Sequence, residues 1–355
     1  MDRATIDVYE ERGAVWAARR KPVRNADARS FAGRVPPGVV RIDLGCGAGR
    51  YTTELGRPVI GLDASRTMLA LCRATAPAAA LVQGDLEALP FGPRCLGGGW
   101  ANMSYLHMPR VRLPLALADL HRVLVVGAAV DIQGLAGSYE GNQLPDDDVG
   151  GRFFASWPSG SLHDILVGAG FDVRHVQVDG DVVRARAVRS RTLADSVGPG
   201  MRLLTVGLNP SLYAADRGVG YARAGNRFWP ALIAAGIVTR DRDPGHALGT
   251  HGVGMTDVVK RATAGAKEIG AAEYRSGMAR VERLVRWLAP GAVCMVGLSG
   301  WRAARDADAR PGVQPDRLGG RPVYVMPSTS GANARTRLPE LIDHLRGAIA
   351  AGAGR

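Results

Sequence analysis

Val39-Val40-Arg41-Ile42-Asp43-Leu44-Gly45-Cys46-Gly47-Ala48-Gly49 is an apolar run that ends in a carboxylate and three glycines at alternate positions. Val39 to Leu44 predicts a strand, and Arg50 to Leu55 opens a helix directly behind the glycines. Glycine here lets the backbone approach a ligand and aims helix N-terminal amides at an anionic group. Working outward, Pro58 to Leu62 reads as a second strand, Ser65 to Ala74 as a helix and Ala80 to Gln83 as a third strand. Leu113 to Val123 reads as a helix, Leu124 to Ile132 as an apolar strand, Ser161 to Gly168 as a helix, and Phe171 to Val178 and Val182 to Val188 as strands. This alternation predicts a mostly parallel sheet covered on both faces. An amphipathic helix carrying Tyr9 and Trp16 is expected before it.

The alternation restarts after a polar stretch, Arg189 to Gly200, that shows no core pattern and is the candidate linker. Leu203 to Val206, Ala292 to Val296 and Val323 to Met326 read as strands. Arg227 to Ala235, Ala279 to Leu288 and Leu338 to Ile349 read as helices, which gives a second, smaller α/β sandwich. The division is 1–188, a linker over 189–200, and 201–350.

Charge separates the halves. Residues 1–190 carry 22 Lys and Arg against 20 Asp and Glu, whereas residues 191–355 carry 23 against 13, so the net +12 divides into +2 and +10. A half with +10 suits a phosphate-backbone partner, because each cation that displaces a condensed counterion adds salt-sensitive affinity. GC-rich coding would explain Arg over Lys but not the asymmetry. The four cysteines, Cys46, Cys72, Cys95 and Cys294, have no CxxC spacing, which argues against a zinc ribbon or an iron–sulfur cluster. No charged-then-apolar leader opens the chain and no apolar run nears the roughly 20 residues of a membrane helix. A cytoplasmic, nucleoid-associated protein with no membrane partner is expected.

The strand ends carry the chemistry. Asp63 closes the second strand 18 residues after Gly45, where a carboxylate can accept both ribose hydroxyls. Asp85, followed by Leu86, closes the third in reach of an adenine amino group. In the second half, Gly207-Leu208-Asn209-Pro210-Ser211 closes a hydrophobic strand with a loop presenting one uncharged amide. An amide cannot take a proton, but it can hold a water by donating or accepting hydrogen bonds. Water aimed at C1′ of a deoxyribose helps when the base leaves largely on its own, through an oxocarbenium-like transition state. Asn-Pro also caps turns, and the residues alone leave that reading open.

The loop of Asp43, Gly45, Gly47 and Gly49, with Asp63, Asp85 and Leu86, resembles the class I S-adenosylmethionine-dependent methyltransferases over residues 1–188. The resemblance implies a Rossmann-like sheet that binds S-adenosylmethionine: the glycine loop at the methionine end, Asp63 at the ribose, Asp85 and Leu86 at the adenine. The fourth strand departs from the family, reading Cys95-Leu96-Gly97-Gly98-Gly99-Trp100, and Val126-Gly127-Ala128 stands where a Pro-Gly-Gly turn is usual. Interior glycines weaken a central strand, so a cofactor-binding relic stays open beside an active enzyme. His107 falls near where acceptors dock, and also suits a structural role. Asp146-Asp147-Asp148 reads as a solvated loop and is assigned no ligand. The methyl acceptor is unread.

The second half, with Gly218-Val219-Gly220-Tyr221, Gly225-Asn226-Arg227-Phe228-Trp229, Gly254 to Val259, Arg261 to Glu268 and Met326 to Gly331, resembles the mismatch-specific uracil/thymine-DNA glycosylases over 201–350. That likeness implies an α/β/α domain on double-stranded DNA, flipping a mismatched or damaged pyrimidine into a pocket made by Gly207, Tyr221, Asp257 and Thr263. Asn209 would orient the hydrolytic water with backbone near Thr263. Tyr221 suits stacking on the flipped base and equally a core position. Ser328, Ser330, Gly331, Ala332, Asn333 and Arg335 belong to the loop expected to enter the duplex, and its tip is small. The implied enzyme is monofunctional, needs no cofactor and favours G·U and G·T pairs. Two further readings remain: a small-molecule methyltransferase with a noncatalytic DNA-binding module, and an S-adenosylmethionine sensor gating a glycosylase.

Overall fold

The computed structural model describes residues 1–20, 25–142, 144, 147 and 149–353. The chain forms two compact units, Met1–Val167 with Phe171–Ser190, and Gly168–Gly170 with Arg191–Arg355.

In chain order the first unit contains α1 (Arg3–Arg19), α2 (Asn25–Ala32), β1 (Arg41–Leu44), β2 (Val59–Asp63), α3 (Arg66–Thr75), β3 (Ala80–Gln83) and β4 (Leu96–Asn102). There follow α4 (Leu113–Val123), β5 (Leu124–Ala136), β6 (Glu140–Gly141), β7 (Phe154–Trp157), α5 (Ser159–Gly168), β8 (Phe171–Asp179) and β9 (Val182–Arg189). Strands β3-β2-β1-β4-β5 are parallel, β9 runs antiparallel to β5, and β8 antiparallel to β9. The C-terminal ends of β1, β2 and β4 therefore open on one edge, the place where open α/β sheets bind ligands.

The glycines of β4 are a packing solution. A Cβ on Gly97 would lie 1.9 Å from Val39 Cγ1, and one on Gly98 2.7 Å from Val35 Cγ2 and 3.1 Å from the Phe31 ring. Strand β4 is thus bare where the segment after α2 presses against it, and it stays buried in the centre of the sheet. Two expectations change. The helix read from Arg50 is one 3₁₀ turn, Thr52–Leu55, stopped by Gly56 at φ 79°. Helix α1 lacks an apolar stripe: its buried residues are Thr5 and Gly13, and Gly13 leaves room for Met68 of α3.

The second unit contains β10 (Leu203–Gly207), α6 (Leu212–Arg217), α7 (Phe228–Ala234), α8 (Pro244–His251), β11 (Val253–Asp257), α9 (Ala271–Leu288), β12 (Ala292–Val296), α10 (Leu298–Ala304), β13 (Gly312–Val313), β14 (Val323–Met326) and α11 (Leu338–Ala353). The sheet order is β11-β10-β12-β14-β13, with only β13 antiparallel. From β10 the chain moves to one neighbour, β11, and then to the other, β12. That reversal makes the C-terminal end of β10 a switch-point crevice.

The linker reading is corrected. Ser196 exchanges both backbone hydrogen bonds with Met255 of β11, at 2.9 and 2.8 Å, and Leu193, Asp195 and Val197 are buried. Residues 191–200 cover an otherwise open sheet edge and belong to the second unit.

Candidate functional site

In the first unit a cavity of about 430 Å³ opens over the ends of β1, β2 and β4. Asp43, Gly45, Gly47, Asp63 and Leu86 line it, with Tyr9 and Trp16 of α1 and Arg20 at its C-terminal cap. Gly45 has φ 70°, and a Cβ there would stand 2.5 Å from Ser104 Cβ, so only glycine fits. Asp63 Oδ2 accepts the Gly47 amide at 2.9 Å and Oδ1 the Ser65 amide at 2.9 Å, which ties the loop to β2. Burial raises the pKa of Asp63 despite these bonds. Asp43 is buried below the loop, accepts Thr52 Oγ1 at 2.6 Å, and is pushed up to about 7 by burial. Gly49 instead turns the chain against α3, where a Cβ would meet Cys72 Sγ at 2.7 Å. The Asp85 carboxylate accepts the Glu87 amide at 3.0 Å and the Met1 amino group, and Leu86 rather than Asp85 forms cavity wall.

A polar chain crosses the same cavity. His107 Nδ1 lies 2.7 Å from the Phe153 carbonyl, which can only accept, so Nδ1 carries the proton and Nε2 accepts Tyr9 Oη–H at 3.0 Å. Arg152 donates to Tyr9 Oη at 2.8 Å and pairs with Asp147. Burial lowers His107 to about 4, keeping the ring neutral, and raises Tyr9. Of the acidic triplet, Asp147 is this ion-pair partner, while Asp146 and Asp148 lie outside the described residues.

In the second unit a cavity of about 600 Å³ opens at the end of β10. Asn209 Nδ2 donates to the carbonyls of Pro210 at 3.1 Å and Arg261 at 3.0 Å, and to Thr263 Oγ1 at 2.8 Å. Thr263 spends its own proton on the Gly265 carbonyl at 2.9 Å. Every partner being an acceptor, the amide nitrogen must face them, and Oδ1 is left to accept a bond. The backbone holds the same register: Thr263 N bonds the Pro210 carbonyl and Leu212 N the Thr263 carbonyl.

Tyr221 lines the cavity with one ring face on Phe228, centroids 3.8 Å apart and 22° from parallel. Asp257 ends β11 beside Gly207. Gly207 is the space between them: a Cβ there would meet Asp257 Oδ1 at 2.4 Å and Tyr221 Oη at 2.9 Å. Burial pushes Asp257 up to about 6, with Lys260 and Arg280 opposing and Asp195 adding to the rise. Those cations are bound to Asp195, which takes Lys260 Nζ at 2.7 Å, Arg280 Nη1 at 2.8 Å and Thr256 Oγ1 at 2.6 Å. Burial works against the charge on Asp195, yet the two cations hold it below the usual carboxylate range.

The Methyltransferase domain family matches residues 42–127, and the Uracil DNA glycosylase superfamily matches residues 194–348. The chain carries a methyltransferase domain and a uracil DNA glycosylase superfamily domain. Solved structures similar to this chain include a Haloferax volcanii methyltransferase in complex with the Trm112 activator (17% identity, TM-score 0.43, 53% of this chain and 97% of that one). A SAM-dependent methyltransferase from Methanosarcina mazei (14%, 0.42, 48% and 99%) and an S-adenosylmethionine-dependent methyltransferase from Mesorhizobium loti (17%, 0.37, 45% and 96%) are also similar.

The last expected element of the glycosylase-superfamily domain, the loop 328–335, is built from within. Asn333 Nδ2 donates to the Ser328 carbonyl at 2.8 Å and to Thr336 Oγ1, so Asn333 staples the loop rather than standing ready for DNA. Arg227 donates to the carbonyls of Ser330 and Asn333 at 3.1 and 2.7 Å. Ser330, Gly331, Ala332 and Arg335 are exposed, Ser328 is half-buried, and Ser328, Ser330 and Ala332 reach the cavity. Sequence reading missed Arg227, Asp195, Lys260 and Arg280 as parts of this site, and Arg152 in the methyltransferase domain. Among the described residues no cluster of His, Cys, Asp or Glu is placed for a metal ion, and no helix is long and apolar enough to cross a membrane.

Proposed function

We propose that the second unit is a monofunctional DNA glycosylase that hydrolyses the N-glycosidic bond of uracil, and of thymine, in G·U and G·T mismatches. The observation that carries the reading is the Asn209 amide, fixed through its nitrogen by three acceptors beside a base-sized cavity. Oδ1 then accepts one hydrogen of a water and aims its lone pair at C1′ of a flipped nucleotide. An amide is a poor activator, so release depends on the ease of flipping, which favours mismatches over matched pairs. The cleavage adds water across C1′–N: hydroxyl goes to the sugar and the proton to the departing base. Exposed Ser330, Gly331 and Ala332 face the duplex, where their small size limits them to light wedging, and exposed Arg335 is left to hold a phosphate.

The first unit is proposed to bind S-adenosylmethionine, whose sulfonium supplies an electrophilic methyl group. The residues fit that group: a glycine-only cradle at Gly45, a carboxylate at each of two strand ends, buried at Asp43 and half-buried at Asp63, and an apolar wall at Leu86. Asp63 would hold the ribose and Trp16 cover the loop. Tyr9 and neutral His107 stand on the cavity wall, where Nε2 accepts the Tyr9 hydroxyl and holds that ring in place.

The test is incubation with end-labelled duplexes holding one G·U, G·T or A·U pair, followed by alkaline cleavage of abasic sites. Breaks strongest at G·U, abolished by Asn209→Ala with DNA affinity intact, are expected. Equal release by Asn209→Ala removes that amide from the mechanism. No release at all leaves the second unit a binding module.

A further inference from the structure

Two polar groups in the cavity at the end of β10 lack partners among the described residues. Tyr221 Oη is buried without a hydrogen bond. Among the described residues the Asp257 carboxylate makes no hydrogen bond or ion pair either, because Lys260 and Arg280 are held by Asp195 and Arg280 Nη2 donates to Thr256 Oγ1 and the Asp257 backbone carbonyl. Both atoms converge over Gly207, 2.9 and 2.4 Å from the point a Cβ would occupy. Any other residue at 207 would fill the space between them.

A phenol and a carboxylate side by side form a donor next to an acceptor. We infer that Tyr221 and Asp257 read the lactam edge of the flipped base, with Tyr221 Oη donating to its carbonyl and Asp257 accepting its ring N–H. This rests on the glycosylase reading and names the substrate class within it: bases carrying a –CO–NH– edge, of one ring or two. Uracil and hypoxanthine both have that edge, and both arise by hydrolytic deamination of an amino base. The cavity, about 600 Å³, lies in the usual range of small-molecule sites and admits either ring size. Cytosine and adenine also present a donor beside an acceptor. They are worse leaving groups, since each base anion has one carbonyl oxygen fewer to carry its charge than the lactam it deaminates to, and Tyr221 bonds that added oxygen.

The groups around Asp257 are consistent with an unpaired acceptor. Lys260 in the loop after β11, Arg280 on α9 and Asp195 before β10 form their own closed cluster, and Tyr221 is the titratable group that faces Asp257 across Gly207.

The experiment uses the full chain and duplexes carrying one uracil, 3-methyluracil, hypoxanthine or cytosine. Single-turnover base release is measured on each, and binding is measured with non-cleavable 2′-fluoro versions of the uracil and 3-methyluracil duplexes. Replacing the ring N–H by N–CH3 is expected to weaken wild-type binding about tenfold or more, the scale of one bond to a charged group. In Asp257→Ala that penalty shrinks to about twofold, and Tyr221→Phe slows uracil and hypoxanthine release alike. Asp257→Leu, of similar size and unable to accept a hydrogen bond, repeats the measurement if the alanine variant fails to fold. An equal 3-methyl penalty in wild type and both Asp257 variants overturns the inference, as does cytosine release faster than uracil release. Absent uracil release with the 3-methyl penalty intact overturns the glycosylase reading instead, and leaves edge recognition standing.

Discussion

Asp195 Oδ1 lies 2.7 Å from Lys260 Nζ, and this buried pair determines the charge of the cavity next to it. One carboxylate serves two cations, since Asp195 Oδ2 also takes Arg280 at 2.8 Å. Asp257, three residues from Lys260, is thereby left without a cationic partner. Asp195→Ala would strand Lys260 and Arg280 in a buried setting, and breaking such a pair costs about 3–5 kcal/mol. Urea unfolding followed by hydrogen exchange in β10 and β11 should show the loss. An unchanged midpoint would mean that solvent reaches both cations and that the cluster holds nothing together.

The same arrangement gives the pocket an acid limb. Asp257 has its pKa raised by burial to about 6, so its neutral form accumulates as pH falls through that value. The neutral carboxyl no longer accepts the ring N–H strongly, and uracil release in single-turnover assays is expected to drop below about pH 6. Asp257→Asn cannot titrate there and should flatten that limb. A limb that survives the substitution assigns the titration to another group.

How far the sequence foretold this site can be judged residue by residue. Asn209 was legible because its loop closes an apolar strand, and the strand periods of β10, β12 and β14 are strong. Helix α8 carried an N-cap and N1 signal, Asp243-Pro244, and a terminal Gly252, yet its short apolar content hid it. Asp195 was not legible at all. It sits in a polar run without periodicity, and its partners Lys260 and Arg280 are 65 and 85 residues away. Arg227 was quoted within a motif, but its work on the loop 328–336 is done through backbone carbonyls, which no side-chain pattern records. The glycines of β4 looked like weakness because the pressing side chains, Val39 and Val35, come from outside any strand or helix.

Thr263 gives a graded test of amide fixation. Thr263→Val keeps the shape but removes the acceptor that Asn209 Nδ2 meets at 2.8 Å, leaving two carbonyl partners. Loss of one neutral hydrogen bond, about 1 kcal/mol, corresponds to roughly a fivefold slower base release with unchanged DNA affinity. Release at the wild-type rate would show that the two carbonyls suffice to hold the amide.

In the first unit the close approach at β4 is testable with a pair of substitutions. Gly97→Ala places a methyl 1.9 Å from Val39 Cγ1, and overpacking of this kind costs about 1–3 kcal/mol. Val39→Ala removes the obstructing methyls, so the double variant should recover most of the loss. Such non-additivity in thermal unfolding marks direct contact. Additive losses would place the cost of Gly97→Ala elsewhere in the strand.

Asp63 has two duties that must be separated. It ties Gly47 and Ser65 to β2 through their amides, and in the proposed reading it also accepts the ribose hydroxyls. Asp63→Ala is expected to weaken S-adenosylhomocysteine binding about tenfold or more in calorimetry, given a charge-assisted bond. Loop disorder alone would give the same result, so the comparison is made with the 2′-deoxy analogue. Wild type should bind the analogue more weakly than the parent, while Asp63→Ala should bind the two alike. If the wild type is indifferent to the 2′-hydroxyl, Asp63 is a loop anchor and the ribose is held by another group.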